Sequence, residues 1–266
     1  MAETPERPDG VDITKPSAAR IYDYVLGGSA NFAVDREFAD RALERFPGAR
    51  LVATANRSFL RRAVQFCLQQ GVRQFLDIGS GIPTVGNVHE VAQRIDPDAT
   101  VVYVDYEPVA IAHSRQLLES NPKATAVLAD AREPEALLDN ADLRAHLDFD
   151  QPVAVLMVAL LHFVPDADDP AGLVRSYRDV LAPGSLLVIS HGTTDGVPEV
   201  AALADQYKHS ANPATMRSRE QVTAMMDGFE ILPPGVVFSA AWQPDDEPGE
   251  VRPEQSGAYA VVGRRP

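Results

Sequence analysis

The spacing of apolar positions changes character twice along the chain. From Ser17, Ile21, Tyr24 and Val25 recur at i, i+3 and i+4, the stripe of an amphipathic helix, and Gly27-Gly28 stop it. Asn31 is placed to cap a second helix, Phe32 to Phe46, which Pro47-Gly48 end. A third helix covers about Arg50 to Gln70, with Val52, Ala55, Phe59, Ala63, Phe66 and Cys67 on its stripe and Gly71 at its close. After Gly71 short, near-continuous apolar runs take over: Arg73–Ile78, Thr100–Asp105, Thr125–Ala129, Val153–Val158 and Ser185–Ser190. Runs without polar alternation fit parallel strands covered on both faces. Helical stretches lie between them, at Thr84–Ile95, Pro108–Glu119, Pro134–Leu147 and Pro170–Leu181, the last introduced by Asp169 as N-cap. Such alternation predicts a parallel α/β sheet with right-handed crossovers. The last sixty or so residues differ again. Helices fit Pro198–Lys208 and Ser218–Met226, and two strands, Gly235–Ala241 and Ala258–Gly263, flank the polar loop Gln243–Ser256. No helix fits between those strands, so they are expected to form an antiparallel hairpin on the sheet edge.

This pattern divides the chain into a lead without structure (1–15), a helical cover (16–70) and a sheet domain (71–266), the cover and domain forming one unit. The first residues, MAETPERPDG, carry no apolar run of the kind a signal peptide needs. No stretch is long and apolar enough for a spanning helix. One cysteine, Cys67, excludes an internal disulfide and a multi-cysteine zinc site, and on its helix stripe it reads as a core thiol. These features point to a cytoplasmic protein with no membrane partner. The formal net charge of −14 sets the chain against a nucleic-acid partner. The sequence leaves the oligomeric state open.

In an open α/β sheet, ligands bind beyond the carboxyl ends of the strands. The first strand ends in Asp77-Ile78-Gly79-Ser80-Gly81, whose glycines let the backbone turn tightly and approach a ligand. The second ends in Asp105, placed to accept from both hydroxyls of a ribose. The third is followed by Asp130, which can accept from an adenine amino group. A dinucleotide site would want glycine where Thr84 stands, and Asp77 would repel a pyrophosphate. S-adenosylmethionine (SAM) has no phosphate and carries a sulfonium cation and an amino group, which an acidic, glycine-lined pocket suits.

These segments resemble the motifs of class I SAM-dependent methyltransferases: DIGSG (Asp77–Gly81), VVYVD ending at Asp105 and VLAD ending at Asp130. More narrowly, the chain is similar to an actinobacterial S-adenosyl methyltransferase family, formerly a domain of unknown function. The similarity rests on SAARIYDYVLGGSANFAVDRE (Ser17–Glu37), NRSFLRRAV (Asn56–Val64), GSGIPTVGNVHEVAQ (Gly79–Gln93) and YVDYEPV (Tyr103–Val109). The resemblance implies a doubly wound, mostly parallel, seven-stranded Rossmann-like sheet with an antiparallel C-terminal hairpin and a helical cover. It implies SAM as cofactor, with Asp77, Gly79, Ser80 and Gly81 along the methionine part, Asp105 at the ribose, Asp130 with Ala131 at the adenine and Tyr106 against its face. Tyr22–Phe32 would form part of the cover over the cofactor mouth, with Asn31 and Phe32 near the cofactor.

Methyl transfer needs an aligned nucleophile and, for O–H or N–H acceptors, can use a base. His162, after the fourth strand, and His191, after the fifth, are the candidate bases. The blander role for His162 is a residue packed under the loop Phe163–Asp169. Arg57, Arg61 and Arg62 could hold a carboxylate, Arg57 foremost, although such a run ordinarily forms a solvated face. His89-Glu90 lacks the second histidine of a zinc helix, Gln93 standing in its place. Asp169 is better explained as a helix cap than as a ligand beside Asp166 and Asp168, so no metal is expected. Ser80 lacks the glycine two residues before it that a nucleophile elbow needs. The expected activity is methyl transfer from SAM to a small molecule. The alternatives are a SAM-binding regulator without catalysis and, more weakly, a nicotinamide oxidoreductase.

Overall fold

A computed structural model describes residues 11–84, 86–207, 210–244 and 252–266. Five parallel strands form its centre: β1 (Gln74–Ile78), β2 (Thr100–Asp105), β3 (Ala124–Leu128), β4 (Val153–Val158) and β5 (Leu186–Gly192). Three more close the chain: β6 (Glu230–Ile231), β7 (Val237–Phe238) and β8 (Ala258–Arg264). The spatial order is β3-β2-β1-β4-β5-β8-β6, with β7 also on β8 and all pairs of β8 antiparallel.

The expected antiparallel hairpin is present at the sheet edge, with different strand bounds. The strand foreseen at Gly235–Ala241 shrinks to Val237–Phe238, and the missed strand Glu230–Ile231 pairs further along β8. Pro233 and Pro234 stand between the two short strands, and proline has no N–H for a ladder. The eight strands therefore fill the seven positions expected across the sheet.

Alternate residues of each central strand feed two cores. Leu76, Ile78, Val102, Val104, Val155, Met157 and Ile189 face one side. That side is covered by α6 (Pro134–Leu138), α7 (Ala141–His146), α8 (Pro170–Val180) and α10 (Arg219–Ala224). Phe75, Val101, Tyr103, Leu156 and Val188 face the other, under α3 (Ala49–Gln69), α4 (Val88–Ile95) and α5 (Pro108–Leu118). Burial on both faces is why the strands read as continuous apolar runs. Cys67 is fully buried in this second core, and burial pushes its thiol up to about 12.

Several element ends move for local reasons. The single helix expected over Pro134–Leu147 breaks in two because Asn140 caps α7, accepting from Asp142 N and Leu143 N at 3.0 and 3.1 Å. The helix expected from Thr84 starts at Val88, where Glu90 accepts from Asn87 N at 3.2 Å. The helix expected over Pro198–Lys208 is α9 (Val200–Tyr207), and Lys208 lies outside the described residues.

The cover consists of α1 (Ala18–Val25), α2 (Ala33–Arg45) and the first half of α3. Ile21, Val25, Phe38, Ala39 and Ala53 form its own small core. Of the lead expected over 1–15, residues 1–10 lie outside the described residues, but Val11 is buried against Phe32, Ile82 and Val109. The carbonyls of Asp12 and Lys15 accept from Arg20 Nη2 at 3.2 and 2.7 Å. The lead is thus ordered from Val11 by an apolar anchor and an arginine that the sequence alone did not connect to it.

Candidate functional site

A cavity of about 230 Å³ opens at the carboxyl ends of β1, β2, β4 and β5, under the cover. The β1–α4 turn supplies Gly79, Ser80 and Gly81 to its wall. Gly79 has φ +72°, a conformation that favours glycine, and a Cβ there would meet Leu160 Cδ1 at 2.6 Å, so that side chain would have to shift. Gly81 has φ +67° with nothing within 4 Å of an added Cβ, leaving open room beside the turn. Ser80 Oγ is buried and makes no hydrogen bond within the protein. An unpartnered buried hydroxyl on the wall asks for a polar ligand.

Asp77 and Asp105 also line the cavity. Burial pushes the Asp77 carboxyl up to about 7, with Asp105 adding to the rise and Arg57 opposing it. Burial likewise raises Asp105, to about 6, against the backbone donors that favour its charged form. Asp105 accepts from Gly81 N at 2.7 Å and Glu107 N at 2.8 Å, so it ties the glycine turn to the loop after β2. It does not cap the next helix: Glu107 is the N-cap of α5. Arg57 reaches the cavity from α3 and donates to Gly86 O at 3.0 Å. Two buried carboxylates beside an unpartnered hydroxyl and an arginine fit a ligand with cationic groups, a carboxylate and no phosphate, which is the chemistry of SAM.

The other anticipated residues divide. Ala131 lines the cavity, and so does Tyr106, about half-exposed and hydrogen-bonded to Asn212 Nδ2. The Asp130 side chain does not line it. Arg132 clamps that carboxylate, with Nη2 at 2.6 Å, and holds it below its ordinary range. Asn31 and Phe32 lie behind the wall. Asn31 Nδ2 donates to Asp23 Oδ2 at 2.8 Å and to Gly28 O, and so fixes the turn after α1. It does not cap α2 as expected, because the Asp35 carboxylate accepts from Phe32 N at 2.9 Å instead. The Phe32 ring packs with Val11, Ile82 and Val109. Arg62, expected on a solvated face, is buried and donates to Trp242 O and Ser239 O.

The two histidines separate as well. His191 is fully buried and absent from the cavity wall. Its Nδ1 lies 2.8 Å from Gly192 O and its Nε2 2.9 Å from Arg217 Nη1. A carbonyl only accepts and a guanidinium only donates, so Nδ1 carries the proton and Nε2 has no free lone pair. His191 is therefore corrected from candidate base to structural residue. His162 does line the cavity. Burial pulls it down to about 3, helped by His191 and Arg217, and its Nδ1 accepts from Gly192 N at 3.4 Å.

One arrangement was not foreseen. Ala159, directly after β4, has φ +58°, a conformation that costs a non-glycine residue about 1–3 kcal/mol. Its N–H is held by Ser190 Oγ at 2.9 Å, and Ser190 Oγ donates to Asn56 Oδ1 at 2.5 Å. Asn56 Nδ2 donates to Tyr22 Oη at 3.3 Å, and Tyr22 Oη donates to Ala53 O at 3.0 Å. Ala159, Ser190, Asn56 and Tyr22 all line the cavity. The chain joins α1, α3, β4 and β5 across 134 residues of sequence between Asn56 and Ser190, which no local pattern reveals. Asn56 inside NRSFLRRAV and Tyr22 inside SAARIYDYVLGGSANFAVDRE were its sequence signals.

Comparison with known proteins agrees with this geometry. A structure from Thermobifida fusca, described as a methyltransferase, is 40% identical and superposes with a TM-score of 0.91 over 97% of this chain and 98% of that one. A duf574 family protein from Streptomyces avermitilis is 38% identical, with a TM-score of 0.92 over 96% of this chain and 99% of that one. Human N-acetylserotonin methyltransferase in complex with SAM, at 14% identity, TM-score 0.51 and coverage of 92% of this chain and 62% of that one, shares the fold alone. No curated protein sequence matches. The S-adenosyl methyltransferase family model matches residues 4–266, nearly the whole chain, and with a glycine turn, two raised carboxylates and a covered cavity in place, the chain belongs to the S-adenosyl methyltransferase family.

Proposed function

We propose that the chain methylates a small molecule inside the covered cavity, with Asp77, Gly79, Ser80, Gly81, Asp105, Tyr106, Ala131 and Arg57 holding SAM. The observation that carries this assignment is the convergence of Asp77, Asp105 and the unpartnered Ser80 Oγ on one cavity wall. When bound, SAM supplies an electrophilic methyl carbon, whose bond to sulfur breaks as the bond to the acceptor forms. The carboxylates of Asp77 and Asp105 face cationic and hydroxyl groups respectively, and Arg57 faces the carboxylate. Ala131, rather than the Arg132-bound carboxylate of Asp130, meets the adenine. The cover excludes water from the acceptor, and Asn56 with Ser190 orients it.

A net charge of −14 supports a small acceptor over an anionic polymer. Among the described residues no helix is long and apolar enough to cross a membrane. The one buried, free thiol supports a reducing, cytoplasmic setting.

Calorimetry tests the assignment. SAM and its demethylated product are expected to bind and NAD is not. Asp105→Ala is expected to weaken both SAM ligands by about 1–3 kcal/mol, through lost charge-assisted hydrogen bonds. NAD binding without SAM binding, or an unchanged affinity in Asp105→Ala, would refute the assignment.

His162 is assigned to the cavity wall, not to proton removal. It is neutral between about pH 6 and 8, so turnover in that range should show no limb that His162→Gln removes. Such a limb would reinstate His162 as the base.

A further inference from the structure

The cavity has two chemically different ends. Its described charged lining groups, Arg57, Asp77, Asp105 and Glu107, all belong to the β1–β2 side, Arg57 through its bond to the β1–α4 loop. Glu107 is also ion-paired with Arg20, whose Nη1 is 3.1 Å away. Beyond β4 the lining changes. The first half of α3 gives Ala49, Val52 and Ala53, the start of β8 gives Ala258, and Phe163 and Met216 complete the wall. Neighbouring strands are about 4.8 Å apart, so β8 lies roughly 14 Å from β1 across β4 and β5. The Phe163 ring centre is 4.3 Å from that of His162 and 5.5 Å from that of Tyr207, at interplanar angles of 58° and 57°, so the three rings form a faceted aromatic wall. His162, the titratable group nearest that wall, is kept neutral by burial. A charged acceptor at this end would lose its hydration with no counter-charge among the described lining groups, a cost of several kcal/mol.

Besides the His162 ring and the Tyr207 hydroxyl, the polar groups at this end are the linked ones. Asn56 uses Oδ1 toward Ser190 and one Nδ2 hydrogen toward Tyr22. An amide has two donor hydrogens and two acceptor lone pairs, so one of each is left. One donor and one acceptor side by side match a hydroxyl.

We propose that the acceptor is an uncharged, mainly apolar molecule bearing a hydroxyl that Asn56 recognises beside the Phe163 wall. This rests on the methyltransferase assignment and goes beyond it by naming the class of acceptor. Asn56 is the specificity residue. Phe163, Val52 and Met216 exclude charge.

The test uses full-length protein saturated with S-adenosylhomocysteine and three probes of one shape: 2-naphthol, naphthalene-2-carboxylate and 2-naphthylmethylammonium. Binding of S-adenosylhomocysteine is measured first, and its absence refutes the cofactor assignment, not the acceptor class. With it bound, 2-naphthol is expected to bind at least about tenfold more tightly than either ion. Asn56→Ala should weaken 2-naphthol at least about fivefold while leaving unsubstituted naphthalene unchanged. Val52→Asp should turn the preference toward the ammonium probe, a reversal that mere loss of packing would not give. Equal or tighter binding of an ion by the unaltered protein, no binding of 2-naphthol to the loaded protein, or equal loss of naphthalene and 2-naphthol in Asn56→Ala overturns the proposal.

Discussion

Arg20→Ala is expected to lower the free energy of unfolding by about 3–5 kcal/mol, the usual cost of removing one partner from a buried ion cluster. Arg20 is 2% exposed, and its Nε lies 2.8 Å from Asp35 Oδ2 while Nη1 reaches Glu107. Alanine would leave both carboxylates buried without a cation. The loss is not confined to charge. Arg20 also holds the carbonyls of Asp12 and Lys15, and its guanidinium lies 5.4 Å from the centre of the Phe32 ring. Four segments meet at this one side chain: the lead, α1, α2 and the loop after β2. Arg20→Lys should recover only part of the loss, because a single ammonium cannot reproduce the planar fork. Urea unfolding with an unchanged slope reads the difference directly. A loss below about 1 kcal/mol would mean that the cluster contributes little. The effect should also reach the cofactor, since Glu107 N donates to Asp105 and the cluster fixes Glu107.

The second large effect concerns Asp77 and pH. Its carboxyl, ordinarily near 3.8, is raised to about 7 by burial. Between those values the folded chain binds a proton that the unfolded chain has released. Stability is therefore fullest below about pH 4 for this group and declines as pH rises through about 7. Asp105, raised to about 6, acts with the same sign over a narrower window. A cationic ligand needs the ionised form, so affinity for SAM should fall about tenfold per pH unit below pH 7. Asp77→Asn is expected to stabilise the free protein at about pH 8 and to remove most of the affinity for SAM. It should also remove the steep part of the pH dependence between about 6 and 7. Calorimetry and thermal unfolding across that range check both halves. A flat affinity profile in the unaltered protein, or an asparagine variant less stable at high pH, would contradict the role of Asp77. A site that is costly without its ligand and relieved by it is the familiar exchange of stability for binding.

Much of the sheet was legible because the signals are local. Buried parallel strands must be apolar on both faces, so VAVLMV and TVVYVD announced β4 and β2 whatever surrounds them. The tight turn after β1 must contain glycine, and a carboxylate at the end of β2 faces the same edge as that turn. Asn140 illustrates the opposite case. A capping residue inside an apolar period split one expected helix into two, since its own backbone bonds outweighed the continuing stripe.

The sequence by itself determined the fold class, the glycine turn after β1 and the carboxylates of Asp77 and Asp105 beside it, since each follows from period, turn geometry and charge within a few residues. Tertiary structure decided which polar side chains were already committed. Asn31 went to Asp23, Asp130 to Arg132, Arg62 to Trp242 O, and His191 to an arginine 26 residues further on. It also decided the far end of the cavity, where Tyr22, Asn56 and Ser190 meet only because the cover folds back over β5. A hydrogen bond depends on distance and direction in space, and separation along the chain carries no record of either.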